Sequence, residues 1–147
     1  MKTLDQNNTK IFCQLIEKMG DKTHFKIENE PFMPLSIEKL TDGIAIGKYN
    51  NGSLYSLAHY YTLNGDLMSD PEMIFIVIWG EAGLTDPQTV QVLPCSFTQS
   101  DMGIYEEGVR FTDQTAIEYD TDLQTGHTEF ACVWLGNIKD QGFLDRI

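Results

Sequence analysis

Cations are scarce in this chain of 147 residues. Ten Lys and Arg stand against 22 Asp and Glu, a formal net charge of −12 at pH 7 and a pI near 4.4. The main affinity for a nucleic-acid backbone comes from cations, as does attraction to an anionic bilayer, so the balance argues against direct nucleic-acid binding and against a membrane-surface role. Cysteine is equally sparse: Cys13, Cys95 and Cys132 are odd in number and far apart. That excludes a disulfide framework and points to a reducing, cytoplasmic setting. Long hydrophobic runs are missing too. The longest apolar stretch, Met73 to Trp79, is far too short to cross a bilayer. Met1 to Lys10 is polar and lacks the apolar segment of a signal peptide.

The familiar signatures of chemistry are absent as well. No pair of Cys or His has zinc-finger spacing, and no Gly-rich loop leads into Lys-Ser/Thr at a helix start. Ser53, Ser56 and Ser96 have no nucleophile-elbow context, and no motif pairs Cys95 with a histidine. The sequence therefore calls for no cofactor and no metal.

What is present is ordinary globular composition, 41% hydrophobic and 22% charged, in a length that suits one domain over residues 1–147. Residues 1–8 read as a loose polar lead-in. Phe12, Leu15, Ile16 and Met19 then fall at the spacing of one helical face, so the pattern predicts a helix from Thr9 to Met19, capped by Asn8 or Thr9 and closed by Gly20. Cys13 within it is a small packing residue. From His24 the period changes to two. His24–Glu28 alternates, Pro31 and Pro34 break the chain, and Asp42-Gly43 and Asn50-Asn51-Gly52 read as hairpin turns. Ser53–Leu63 is the most regular strand, with Tyr55, Leu57, His59, Tyr61 and Leu63 on one face.

Met73–Trp79, apolar on both faces, reads as a central strand. A turn over Gly80–Gln88, a strand from Val90 towards Phe97, a turn at Ser100–Gly103 and an extended piece at Ile104–Glu106 follow. Leu123, His127, Phe130, Trp134 and Ile138 then restore helical spacing, with Asp120 or Thr121 as cap and Gly142 as terminator. The expected class is α+β: an antiparallel meandering sheet of roughly five to seven strands flanked by an N-terminal and a C-terminal helix.

One polar constellation stands out: His59, Asn64, Asp66, Asp70 and Glu72. Three carboxylates and an imidazole close in sequence have the donors to hold a divalent metal and activate water for phosphoester hydrolysis. Residue by residue, a plainer account fits. Asn64-Gly65 is a turn dipeptide, and Asp66 and Asp70 are short acceptors for turn N–H groups. Asp70-Pro71-Glu72 leads into a strand, and His59 shares a face with apolar neighbours, as a hydrogen-bonded cleft histidine does. Asn64–Pro71 is then an eight-residue connection between hairpin partners, and the five residues form a cleft or turn cluster. The aromatics Tyr55, Tyr60, Tyr61, Phe75 and Trp79 read as half the core before they read as a ligand groove.

Three stretches carry a resemblance: Ile27–Leu35 (IENEPFMPL), Leu57–Phe75 (LAHYYTLNGDLMSDPEMIF) and Phe130–Leu144 (FACVWLGNIKDQGFL). A weaker fourth is Ser100–Tyr105, followed by Glu106 and Glu107. Together they resemble the domain of unknown function 6908 family, which is found largely in bacteria and on mobile genetic elements. The chain departs from it at Leu135 and Gly136, where a more polar pair is common after the tryptophan. The resemblance implies a shared fold and transfers no catalytic residue.

On these grounds the expected function is that of a small acidic accessory protein, non-enzymatic and acting through a protein partner. A metal-dependent hydrolase using the His59–Glu72 segment is one alternative. An acidic inhibitor that mimics DNA and occupies a DNA-binding enzyme is the other.

Overall fold

In the computed structural model, which describes residues 1–80 and 86–146, two helices and eight strands follow one another. Helix α1 (Gln6–Met19) precedes β1 (His24–Asn29), β2 (Phe32–Ile46), β3 (Tyr49–Leu63), β4 (Asp66–Ile78) and β5 (Gln91–Gln99). A short 3₁₀ turn leads to β6 (Ile104–Glu107), the hairpin β7 (Val109–Thr112) and β8 (Thr115–Tyr119), and helix α2 (Thr121–Asp140). The chain is thus α+β. The expected turn over Gly80–Gln88 falls largely on residues outside those described. Among the described residues no helix is long and apolar enough to cross a membrane.

Strands β1 to β6 pair antiparallel in chain order. The β7–β8 hairpin then returns to the far side of the sheet, where β8 meets β2 in a single parallel bridge, Ala45 against Thr115. This last hairpin takes the sheet to eight strands, beyond the sequence expectation, because four- and five-residue strands carry too few alternations to be read. Strand β4 lies between β3 and β5, as its two apolar faces require.

Both helices cover the same face. There Phe12, Leu15 and Ile16 of α1 and Ala131, Trp134, Leu135 and Ile138 of α2 pack on Leu35, Ile37, Leu57, Met73, Phe75 and Val92 of the sheet. Burying one such side chain contributes roughly 1.5–3 kcal/mol, so this layer holds the fold. On the opposite face, among the described residues, Val109 of the β7–β8 hairpin closes over Ile44, Ile46, Ile76, Ile78, Leu93 and Cys95 at one end.

Several local expectations need correction. The N-terminus is not a loose lead-in: the helix starts at Gln6, Asp5 caps it by accepting from the Asn8 N–H at 2.8 Å, and the Leu4 N–H donates to the Val92 carbonyl at 2.8 Å. Further back, the Lys2 backbone exchanges two hydrogen bonds with the Gln124 amide. Pro34 lies inside β2 without breaking it, because the β1–β2 register slips between Ile27 and Asn29 and leaves no donor required there. Asp42-Gly43 is not a hairpin turn; β2 runs straight through it. The register against β3 shifts between Thr41 and Ile44, so Gly43 (φ +73°) occupies a bulge, the other structure that needs a positive φ. Its neighbour Asp42 anchors the bulge by accepting from Ser53 Oγ at 2.6 Å and pairing with Lys39 at 2.8 Å. The chain reverses instead at Gly47-Lys48, and Asn50–Gly52 belongs to β3.

Candidate functional site

The five residues singled out in the sequence do not converge. Asn64 and Gly65 form a two-residue turn with positive φ at both positions (52° and 86°), the pairing that suits the twist of a hairpin, and Leu63 faces Asp66 directly across it. The connection is therefore two residues long, not eight: Asp66–Pro71 belongs to β4. Beyond the turn the register slips between Ala58 and Tyr60, so that Asp70 and the donor-less Pro71 together stand against the single His59.

His59 faces the helix layer. Its ring lies 5.6 Å from both Trp134 and Phe143, and Nδ1–H donates towards the carbonyls of Met33 and Pro34, each at 3.1 Å. Burial lowers its pKa from the ordinary 6.5, and the two carbonyls and the charge of Asp70 oppose that shift. Burial thus favours its neutral form, and its Nδ1–H donor is satisfied. Asp70 in turn accepts from the Gln99 amide, which also reaches Asp101 at 2.9 Å.

Glu72 points the other way. Strand alternation puts it on the opposite face of the sheet from His59, where its Oε2 accepts from Ser56 Oγ at 2.7 Å and Tyr60 OH at 2.9 Å. Imidazole and carboxylate are thus separated by the thickness of the sheet. Among the described residues no three His, Cys, Asp or Glu side chains are grouped so as to hold a metal ion.

A second histidine was assigned by its spacing to the apolar stripe of α2. His127 is buried; its Nε2 meets Glu106 Oε1 at 3.0 Å, and its ring stacks on Phe97 with centroids 5.8 Å apart. Among the described residues Nδ1 has no hydrogen-bond partner, and it lies against Gly108, where an added Cβ would come within 3.2 Å of it. A depression of about 240 Å³ opens beside the pair, lined by Phe97, Asp122, Leu123, Gly126 and Phe130. It contains no hydroxyl or thiol, so the pair has no nucleophile to activate. Its evident work is to fasten α2 to the β5–β6 edge.

Carboxylates and hydroxyls gather on the part of the helix-free face beyond the β7–β8 hairpin. Register places Glu38, Ser56, Ile74, Ser96 and Glu107 side by side across β2 to β6, and Ser36, Ala58, Glu72, Thr98 and Tyr105 in the next row. Tyr105 OH donates to Glu107 Oε1 at 2.8 Å. Both phenols on this face are pushed up to about 12: Tyr60 by burial and then Glu72, Tyr105 by its bond to Glu107 and then burial. The carboxylates of Glu38 and Glu72 add to the rise at Tyr60, and those of Glu107 and Glu72 to the rise at Tyr105. Among the described residues neither Glu72 nor Glu107 is ion-paired.

Where this face meets the β7–β8 hairpin, a depression of about 250 Å³ is lined by Leu54, Ile74, Cys95, Ser96, Tyr105, Glu107, Val109 and Phe111. The Cys95 thiol donates to the Ile74 carbonyl at 3.3 Å, and burial holds its pKa up at about 12, so it is neither charged nor nucleophilic.

The charge distribution along the chain is a signal the motif reading did not use. Residues 49–138 carry thirteen Asp or Glu and a single cation, Arg110, whereas the rest of the chain carries nine of each sign. Arg110 is held by Glu118 across the hairpin. The whole net charge belongs to the segment that builds β3 to β8 and most of α2.

Fold and surface together define a small acidic α+β protein with one helix-covered sheet face and one open, anionic one. Residues 10–144 match the family described as Domain of unknown function (DUF6908), and the chain belongs to that family. No curated protein and no solved structure matches it.

Proposed function

We propose that the chain is a non-enzymatic accessory protein that works by binding another protein, and that the partner brings a basic surface to the bare face of the sheet. The observation that supports this most is the surplus of carboxylates there: Glu38, Glu72 and Glu107 share one face of the sheet, to which register adds Lys26 of β1, and the segment 49–138, which supplies Glu72 and Glu107, holds one cation. Complementary charge steers association and selects partners even where it adds little net affinity. The free thiols Cys13, Cys95 and Cys132 suit a reducing compartment, and we place the protein in the cytoplasm.

The hydrolase alternative draws no support from the geometry, because His59 and Glu72 lie on opposite faces. An inhibitor of a DNA-binding enzyme is the same docking chemistry with a particular kind of partner, and duplex DNA would then compete for it. The test is retention of native-host proteins on the immobilised chain, compared with the triple variant Glu38→Gln, Glu72→Gln, Glu107→Gln. A defined set retained at low salt, released at moderate salt and lost from the variant is expected. Equal retention by parent and variant would overturn the reading.

A further inference from the structure

The depression under the β7–β8 hairpin has a composition that the docking reading alone does not require. Its lining is largely aliphatic and aromatic, Leu54, Ile74, Val109 and Phe111, with Ser96 among them. Its rim carries Tyr105 and Glu107, hydrogen-bonded to each other. The thiol inside it is already satisfied by the Ile74 carbonyl. An apolar slot ending at an unpaired carboxylate does not suit an acid, which the carboxylate repels, nor a purely apolar group, which leaves that carboxylate partly desolvated without a partner. It suits a long apolar stem with a cationic tip.

We propose that this slot takes a single lysine side chain from the basic partner: the methylene stem lies on Ile74, Val109 and Phe111, and the ammonium meets Glu107 beside the Tyr105 ring. This rests on the reading of the bare face as a docking surface, and adds to it the group that is recognised and the place. Lysine and arginine both bury their stems while keeping the charged end polar, and an aromatic ring at the mouth attracts either cation. The geometry selects between them. A guanidinium is best met by two free oxygens of one carboxylate, whereas Glu107 has Oε1 engaged by Tyr105 and Oε2 left, which suits the compact ammonium. Glu72, one row further along the face, adds negative potential without entering the slot. Arg110, the nearest cation in sequence, is turned to Glu118.

The test uses the full chain, ¹⁵N-labelled, titrated with the capped tripeptide Gly-Lys-Gly and with its norleucine and arginine counterparts. The lysine peptide should move the amides of Ile74, Cys95, Ser96 and Tyr105–Phe111, and bind about tenfold more tightly than the norleucine peptide, the worth of one charge-assisted hydrogen bond. Glu107→Gln should remove that advantage while leaving the melting temperature within a few degrees of the parent. Equal binding of lysine and norleucine peptides, tighter binding of the arginine peptide, or shifts confined to other residues would overturn the proposal. Those results leave the docking reading standing if the triple variant still loses its retained proteins; that reading falls by the retention experiment alone.

Discussion

The two faces of the sheet are built from the same strands and do opposite things. Along β4, Met73, Phe75 and Val77 enter the helix layer, and between them Glu72, Ile74 and Ile76 face the other side. Along β3, Tyr55 and Leu57 enter the core while Ser56 and Tyr60 hold a carboxylate. A period of two lets each strand supply stability to one side and recognition chemistry to the other without the two interfering. The helix face is dense and almost free of charge. The other face is apolar only where the β7–β8 hairpin covers it, and beyond that cover it is acidic and hydroxyl-rich. Substitutions should therefore divide by face.

Phe75→Ala gives the largest effect. Phe75 is fully buried, with its ring 4.9 Å from that of Phe12, and truncation should cost about 3–5 kcal/mol in chemical denaturation. A loss under 1 kcal/mol would mean that the helices do not rest on this face. Asp120→Ala is next. Its carboxylate accepts from the Leu123 N–H at 3.0 Å at the start of α2, so its loss should cost about 1 kcal/mol, and Asp120→Asn should restore most of it.

His59 tests the same face through pH. Its folded pKa is depressed below 6.5 by burial, so in the window just under 6.5 the unfolded chain binds more protons than the folded one. Stability then rises with pH through that window, and it is lost as pH falls below 6.5 towards the folded pKa. His59→Asn should flatten the slope between 6.5 and about 5, where most carboxylates have not yet titrated. A slope unchanged in the variant would place the effect elsewhere.

On the bare face the expected change is small and of opposite sign. The pair Glu72→Gln, Glu107→Gln keeps acceptors for Ser56, Tyr60 and Tyr105 and removes two like charges. Stability at low salt should stay within ~0.5 kcal/mol of the parent or rise, and the difference should vanish in 1 M salt, where the Debye length is about 3 Å. A destabilisation as large as that of Phe75→Ala would end the division between the faces.

Much of the scaffold is legible in the sequence, and the reasons are particular. Phe12, Leu15, Ile16 and Met19 mark α1 because a 3.6-residue period has no other use for that spacing. Tyr55, Leu57 and His59 mark a strand in the same way, and the apolar run at Met73 announces a strand buried on both sides. The turns were harder. Gly43 and Gly47 both need positive φ, and nothing local says that one makes a bulge and the other a reversal; register against β3 decides. The N-terminal segment reads as loose because Lys2 and Leu4 are anchored by residues far along the chain, Gln124 and Val92.

The site suffers from the same difficulty. Proximity in sequence grouped His59 with Glu72, whereas strand alternation and a register slip send them to opposite faces. Glu38, Glu72 and Glu107, far apart in the chain, come to share one face through pairing that no local pattern reveals. The run from residue 49 to 138 with one cation was readable throughout, and it bears on the site more directly than any of the motifs.

The division between the faces is tested most directly by amide hydrogen exchange of the full chain with and without a lysine-rich decapeptide at low salt. Slowed exchange should concentrate in β5, β6 and β7, from Cys95 to Phe111, with the amides of α1 and α2 unchanged, and the effect should disappear when salt is raised or when Glu72 and Glu107 are replaced by Gln. Protection centred on the helices, or protection at Cys95–Phe111 that survives both treatments, would contradict the assignment of the acidic face as the binding face.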